Sequence, residues 1–574
     1  MKKPDIEDMS LRIEAIWQEA ESRILSDIVR RIKKTGRITS TADYQINRLV
    51  SMGRTTEEIE RELLRALNMT YPEMYELYDE VANWQYVRNE DLYLQINSNF
   101  VPPEENEQLK QISAAVKKQT ADELANFAQS YGFSILVNGK KVFTPFATYY
   151  QQYIDTAIQD ILDGSRDYNS VIRNVVSQMT NSGLRRVDYA SGHSNRVPVA
   201  VRRAVLTGVA QITGKIAEMN AAELGTDYYE VDWHAGARPE HRVWQGKVYS
   251  HDELISKCGL GTVTGLHGAN CYHDYYPFIP GISERLYSDE WLEEQNRKEA
   301  QTKNWRGKEY DLYGQTQKQR QMETAMRAQR EKVKLLKEAG ASEDEVLLQK
   351  VKYQTQLNEY SRFSRKMGLE QQRERIYYDM KGRIAPRDKK AMQLFPPEMV
   401  RNANRDIRQY NAYKEILGKD AGSLIGFGQI KYYDEERWEF MKVDYRRRKK
   451  LRDDRSLKLP NAENAVLPEG KFTKYLLGGE NRIGLAKGGA FKGRLGYPID
   501  NWKELQKEIK EAAKKYPAAA KEKTEYGQKY EQKIILYGKK GTPANVIVGW
   551  IQKEDGTVSM TSAYIKEVTR NNGD

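Results

Sequence analysis

Apolar residues enter the chain at helical spacing. Ile6, Leu11, Ile13, Ile16 and Trp17 open a stripe that Ile24, Ile28 and Ile32 continue every three or four positions, the mark of one buried helix face. Thr55 followed by Glu58 reads as a capping box that starts a further helix over Ile59 to Leu67. The period then changes. Residues 133–144, FSILVNGKKVFT, alternate around Asn138-Gly139, a pair that supplies the positive φ of a tight hairpin turn. Helical patterns return near 147–163, 168–180 and 198–223, and from Asp227 to PFIPG at 277–281 short strands, aromatics and glycine turns replace them.

Residues 284–380 are polar and helical, with apolar positions at Met322, Met326, Val333 and Leu336, then Leu347, Val351, Leu357 and Tyr360. Gly340 ends one helix, and Ser342 with Glu345 caps the next, so the segment predicts an antiparallel hairpin or coiled-coil arm. Its charged faces are solvated or its apolar seam forms an interface, and the pattern leaves both open. Pro386, Pro396 and Pro397 mark a joint. Further on, a helix over Trp502 to Lys515 precedes strands at 533–537, 546–552 and 558–565, the last two joined by Asp555-Gly556. The expected fold is mainly α, with a small Cys/His-rich β-containing knuckle, a long helical hairpin and a separate C-terminal α+β domain. The expected boundaries are 1–283 for a helical body with the hairpin at 133–144 and the knuckle at 227–281, 284–380 for the arm, 381–458 for a connecting region with a basic linker, and 459–574 for the terminal module.

Composition narrows the function. No apolar run is long enough to span a membrane, and MKKPDIEDMS lacks the apolar core of a secretion signal, so a membrane partner and Sec-type export are not expected. Two cysteines, Cys258 and Cys271, exclude a disulfide scaffold and suit a reducing cytosol. The formal net charge is +11, but its distribution is uneven. Residues 1–441 hold 63 basic and 64 acidic residues, 442–458 hold 9 and 3, and 459–574 hold 20 and 14. The excess positive charge is therefore C-terminal, and Arg446, Arg447, Arg448, Lys449 and Lys450 are its densest cluster, a candidate nucleic-acid contact or a solvated linker.

Of eight histidines and cysteines, seven lie between His234 and His273. His267, Cys271 and His273 offer imidazole and thiolate at short spacing, and His241 or His234 could complete a tetrahedral set, while His251 and Cys258 fit less well. Gly259, Gly261, Gly265 and Gly268 allow a small knuckle to bend. Three readings stay open: a structural zinc site, polar packing without metal, and a catalytic metal site with Asp232, Glu240 or Asp274 as base.

The segments YASGHSNRVPVAVRRAVLTGVAQI (189–212), HAGARPEHRVWQGKVYS (234–250) and GLHGANCYHDYYPFIPG (265–281) resemble the tailed-phage minor capsid protein family of phages infecting Gram-positive bacteria, over roughly residues 1–380. That resemblance implies a portal-adjacent structural protein of the virion. It also implies an Arg-x-x-His and Cys/His segment, here Arg238, His241, Cys271 and His273. The family commonly has cysteine where His267 stands, an exchange of one zinc ligand type for another. Residues from LPNAENAVLPEG onward are similar to an uncharacterised domain of phage minor head proteins and toxin-like proteins.

The leading expectation is a structural minor head protein at the portal vertex, acting in head assembly. It would be made in the bacterial host cytoplasm and would contact portal protein, major capsid or scaffolding protein, other copies of itself and packaged DNA. The alternative is a carrier for a ribonuclease-like enzyme in 459–574. No histidine or cysteine follows His273, so such an enzyme would use residues such as Lys487, Arg494, Lys533, Thr561 and Tyr564, and a non-enzymatic binding module is the larger expectation.

Overall fold

The computed structural model describes residues 3–35, 41–96, 98–127, 131–162, 168–187, 194–377, 382–386, 388–478, 487–539 and 541–566. They form two compact units, residues 1–386 and 387–574.

In the first unit, helix α1 (Ile6–Thr35) buries Ile13, Trp17, Ile24, Ile28 and Ile32, each at most 1% exposed, as the apolar period requires. Helix α2 (Thr41–Val87) runs unbroken through the expected start at Thr55, so no helix begins there. Trp17 donates its indole N–H to Thr70 Oγ1 at 2.8 Å, fixing α1 against α2. Helix α3 (Glu107–Phe127) is followed by strands β1 (Tyr131–Val137) and β2 (Lys140–Pro145), paired through Asn138 and Gly139 at φ 50° and 78°, the turn the sequence predicts. After helix α4 (Tyr168–Ser182), strands β3 (Arg185–Val187) and β4 (Ser194–Arg196) complete an antiparallel sheet of order β2-β1-β3-β4.

Helix α5 (Val197–Glu223) is the axis of this unit. Val201, Val205, Ile212 and Ile216 are fully buried, with Pro198 in the first turn where a missing N–H is harmless. It packs against α1, α2 and α3. Approach is close at Gly208, where a Cβ would lie 1.9 Å from the Tyr78 hydroxyl oxygen, so no larger residue fits there unless Tyr78 moves. Three short strands follow, β5 (Tyr228–Val231), β6 (Val248–Ser250) and β7 (Tyr275–Phe278), with β5 central and β7 against α5.

Helices α6 (Leu312–Ala339) and α7 (Glu343–Met367) form the expected hairpin, with Gly340 at φ 80° ending the first and Ser342 Oγ accepting from the Glu345 N–H. The hairpin is no free arm: Val333, Leu335, Leu336, Ala339 and Val346 join the core of α1, α2, α4 and α5. A buried Arg173–Glu345 pair at 2.6 Å ties α4 to α7. The apolar seam is thus largely covered within the chain.

In the second unit, helices α8 (Ala403–Leu417), α9 (Leu424–Tyr433) and α10 (Glu435–Asp453) precede helix α11 (Trp502–Ala513). An antiparallel meander follows, β8 (Ala518–Thr524), β9 (Gly527–Leu536), β10 (Ala544–Gln552) and β11 (Val558–Ile565). Strand β8 is a mostly exposed edge, which is why AAAKEKT carries no apolar alternation to announce it.

The expected basic linker is helix α10. Asp434 caps it, and its Phe440 and Val443 share one core with the sheet and α11. Asp444, fully buried, accepts from Arg448 Nε at 2.7 Å and from the hydroxyls of Tyr516 and Tyr537 at 2.5 and 2.8 Å. Arg448 also meets Asp420 at 2.9 Å. Helix α10 and the terminal module therefore share one hydrophobic core, and the buried polar network around Arg448 reaches Asp420 as well.

Two predictions follow from this packing. Asp444→Ala leaves the buried Arg448 cation with Asp420 as its one carboxylate among the described residues, at a cost of about 3–5 kcal/mol, read as faster hydrogen exchange in β9 and β10. In the first unit, burial beside Glu21 pushes the Glu331 carboxyl up to about 7. A raised carboxyl favours the fold while protonated, so its contribution is complete below about 4.5 and is lost as pH rises through about 7. Glu331→Gln should flatten that fall in urea midpoint, and a parent-like slope would contradict it.

Candidate metal centre

The knuckle hangs between β5 and β7. After β5 the chain makes a short helical turn, Pro239–Arg242, that carries His241. A second turn, His251–Ser256, is closed by a capping box in which Ser250 and Glu253 exchange hydrogen bonds. The loop 257–274 then folds back on itself. At Gly265 a Cβ would sit 2.1 Å from the Gly259 carbonyl oxygen, so only glycine lets the two passes cross. His267 itself holds φ 58°, a left-handed conformation that turns its ring.

That fold brings three donors together. His241 Nδ1 lies 3.4 Å from His273 Nδ1, and Cys271 Sγ lies 3.8 and 3.5 Å from the same two nitrogens. A tetrahedral zinc-like ion, with bonds of about 2.0–2.1 Å to nitrogen and about 2.3 Å to sulfur, sets donor–donor edges of about 3.3 Å and about 3.6 Å. The observed spacings match that polyhedron without rearrangement. Among the described residues no fourth His, Cys, Asp or Glu joins the group.

The outer ring atoms decide the tautomers. His241 Nε2 is 2.8 Å from the Thr264 carbonyl, and His273 Nε2 is 2.8 Å from Gln245 Oε1. A carbonyl only accepts, so His241 carries its proton on Nε2. Gln245 Oε1 also accepts from the His234 backbone N–H at 3.1 Å, which orients that amide and fixes the same tautomer on His273. Both Nδ1 atoms therefore point bare lone pairs at each other and at the thiol, an arrangement suited to a shared cation.

The site disfavours a charge of either sign on its donors while no cation is shared. Burial, with His234, His241 and Arg238 nearby, pushes His273 down to about 2. Burial also lowers His241, with Arg238 adding to the effect, and raises the Cys271 thiol. Trp244 lies against both imidazoles, at ring separations of 4.5 and 4.8 Å.

The other sequence candidates fall elsewhere. His267 Nε2 donates to Asp274 Oδ1 at 3.0 Å, where Thr213 Oγ1 of α5 also donates at 2.6 Å. Burial alone would raise Asp274, but these bonds hold it below its usual value. His267 is thus a brace between the knuckle and α5 in this geometry. His234 Nε2 lies 3.2 Å from Asp232, beside the group at a ring separation of 5.2 Å from His273. His251 faces Glu218 at 3.8 Å, and Cys258 is packed among Tyr249, Leu254 and Leu266, its thiol pushed up to about 12 by burial. Gln245 and the Thr264 carbonyl, which orient the ligands, carry no signal in the sequence.

On α10 the basic cluster splits. Arg447 is buried and donates to Asn545 Oδ1 at 2.7 Å, Arg448 is buried against Asp444, and Lys449 pairs with Asp453, whereas Arg446 and Lys450 are exposed. In the terminal module, Lys487 and Thr561 line one small cavity of about 150 Å³ with Lys471 and Ser562, and Lys487 lies 5.7 Å from the Tyr564 ring centre. Arg494 is held apart from them by the Pro543 carbonyl.

The family described as phage minor capsid protein 2 matches residues 3–361, and a domain of unknown function, DUF6883, matches residues 458–567. No curated protein and no solved structure matches. Among the described residues no helix is long and apolar enough to cross a membrane.

The geometry makes one prediction that separates the candidate ligands. Purified protein should carry about one divalent metal per chain by elemental analysis, and Cys271→Ser or His273→Ala should weaken retention about 100-fold or more. His267→Ala should keep the metal. Equal metal loss in all three variants, or no metal in the parent, would contradict the assignment.

Proposed function

The chain belongs to the phage minor capsid protein 2 family, and on that premise we propose that it is a structural minor head protein at the portal vertex of a tailed bacteriophage, where it acts in head assembly. The observation that carries this reading is the family match over residues 3–361, nearly the whole first unit. Its partners are the portal protein, major capsid or scaffolding protein and further copies of itself. The β1–β2 hairpin supports such contacts: β2 is a sheet edge, and Leu136, Val137 and Val142 stand exposed there.

Zinc is the ion best suited to His241, Cys271 and His273, since two imidazoles and a thiolate at tetrahedral spacing favour it over harder cations. Its role is to clamp a glycine-rich loop with little core of its own. Packaged DNA would be met by Arg446, Lys449 and Lys450, because Arg447 and Arg448 are engaged inside their unit. A ribonuclease-like terminal module is the second reading, favoured by the gathering of Lys471, Lys487, Thr561 and Ser562 around one cavity.

Gold-labelled antibody against the protein tests the leading reading. It should mark a single vertex of each opened head, and heads made without the protein should lack that vertex's normal complement of portal-associated protein. Label spread evenly over the shell, or absent from heads, would contradict it.

A further inference from the structure

The three donors border two cavities, and the larger, of about 960 Å³, is walled by α1, α5, α6 and the knuckle. His241 and His273 line it, as do Arg202, Arg203, Arg238, Arg320, Arg327 and Arg375. Against these six arginines stand three carboxylates, Glu7, Glu14 and Glu323. Arg202 and Arg375 share Glu7, Arg327 and Arg202 reach Glu14 at 3.1 and 3.8 Å, and Arg320 meets Glu323 at 3.2 Å. Arg203 and Arg238 form no ion pair with any described residue, and Arg203 Nε and Arg238 Nη2 are buried without a hydrogen-bond partner.

Such a wall holds three more positive than negative groups before any metal is added. A divalent ion bound by one thiolate adds a further positive charge, and among the described residues no His, Cys, Asp or Glu fills its fourth coordination position. A lone carboxylate would neutralise one charge and offer two oxygens. A phosphate group neutralises up to two, and it has enough oxygens to meet the metal and two guanidinium forks together.

We propose that this cavity is a phosphate-binding site, in which a phosphate oxygen takes the open position on the metal and Arg203 and Arg238 hold the remaining oxygens. The proposal rests on the metal reading above. The cavity is far larger than one phosphate ion, so the group is either free phosphate or the terminal phosphate of a nucleic-acid strand, with room for the attached nucleotide.

Cobalt(II)-exchanged full-length protein separates these possibilities. Its visible absorption should show tetrahedral bands with a thiolate charge-transfer band, and inorganic phosphate should shift the tetrahedral bands. Arg238→Ala should keep the cobalt spectrum but weaken the phosphate response about tenfold or more, and Arg203→Ala should do the same. A short single strand with a 5′-phosphate that shifts the bands at lower concentration than inorganic phosphate, while the same strand without it is silent, assigns the terminal phosphate as the source. Normal cobalt bands that respond to neither phosphate nor strand would overturn the phosphate site and leave the metal site standing. Absence of tetrahedral cobalt bands would overturn both.

Discussion

Two imidazole lone pairs and a thiol converge at 3.4 to 3.8 Å in a largely buried site, and the knuckle depends on what lies between them. The single thiol proton can satisfy one nitrogen. The other then faces a lone pair in a low-dielectric setting, which is costly unless a cation is shared. The surroundings enforce this arrangement from outside: the Thr264 carbonyl and Gln245 hold the protons on the far nitrogens. Asp274, gripped by His267 and Thr213, fixes the loop to α5, and α5 in turn is the axis of the unit. The three candidate ligands, the loop and the helix thus form one mechanical chain.

Much of the scaffold is legible in the sequence because it rests on local rules. Periodicity finds α1, Asn138-Gly139 finds the β1–β2 turn, and Gly340 with Ser342 finds the joint of the helical hairpin. The His/Cys cluster is equally visible as composition. Which members act together is not, because the choice depends on backbone handedness at His267 and on outer partners far along the chain. His267 looks like a ligand by spacing, yet its φ of 58° sends it to Asp274. The same limit applies to Thr55, where a local capping pattern yields to a continuous helix.

Charge is the property that changes most between sequence and structure. A run such as RRRKK reads as solvent-facing, but helical geometry places Arg447 and Arg448 on the inner face of α10, where Asn545, Asp444 and Asp420 receive them. Conversely, the first 441 residues are almost neutral by count, and that count hides a strongly positive cavity. The fold collects arginines from four separate elements there and supplies only three acids. A minor capsid protein built this way has a first unit that gathers six arginines around one pocket and a second unit in which only part of the basic run is open to solvent.

The central claim is that His241, Cys271 and His273 hold one metal ion in a four-coordinate site. X-ray absorption at the metal edge of the purified full-length protein tests it most directly. The account predicts two nitrogen scatterers at about 2.0 Å with imidazole multiple scattering, one sulfur at about 2.3 Å, and one further light atom. A shell of oxygen and nitrogen alone, or two or more sulfurs, would contradict it.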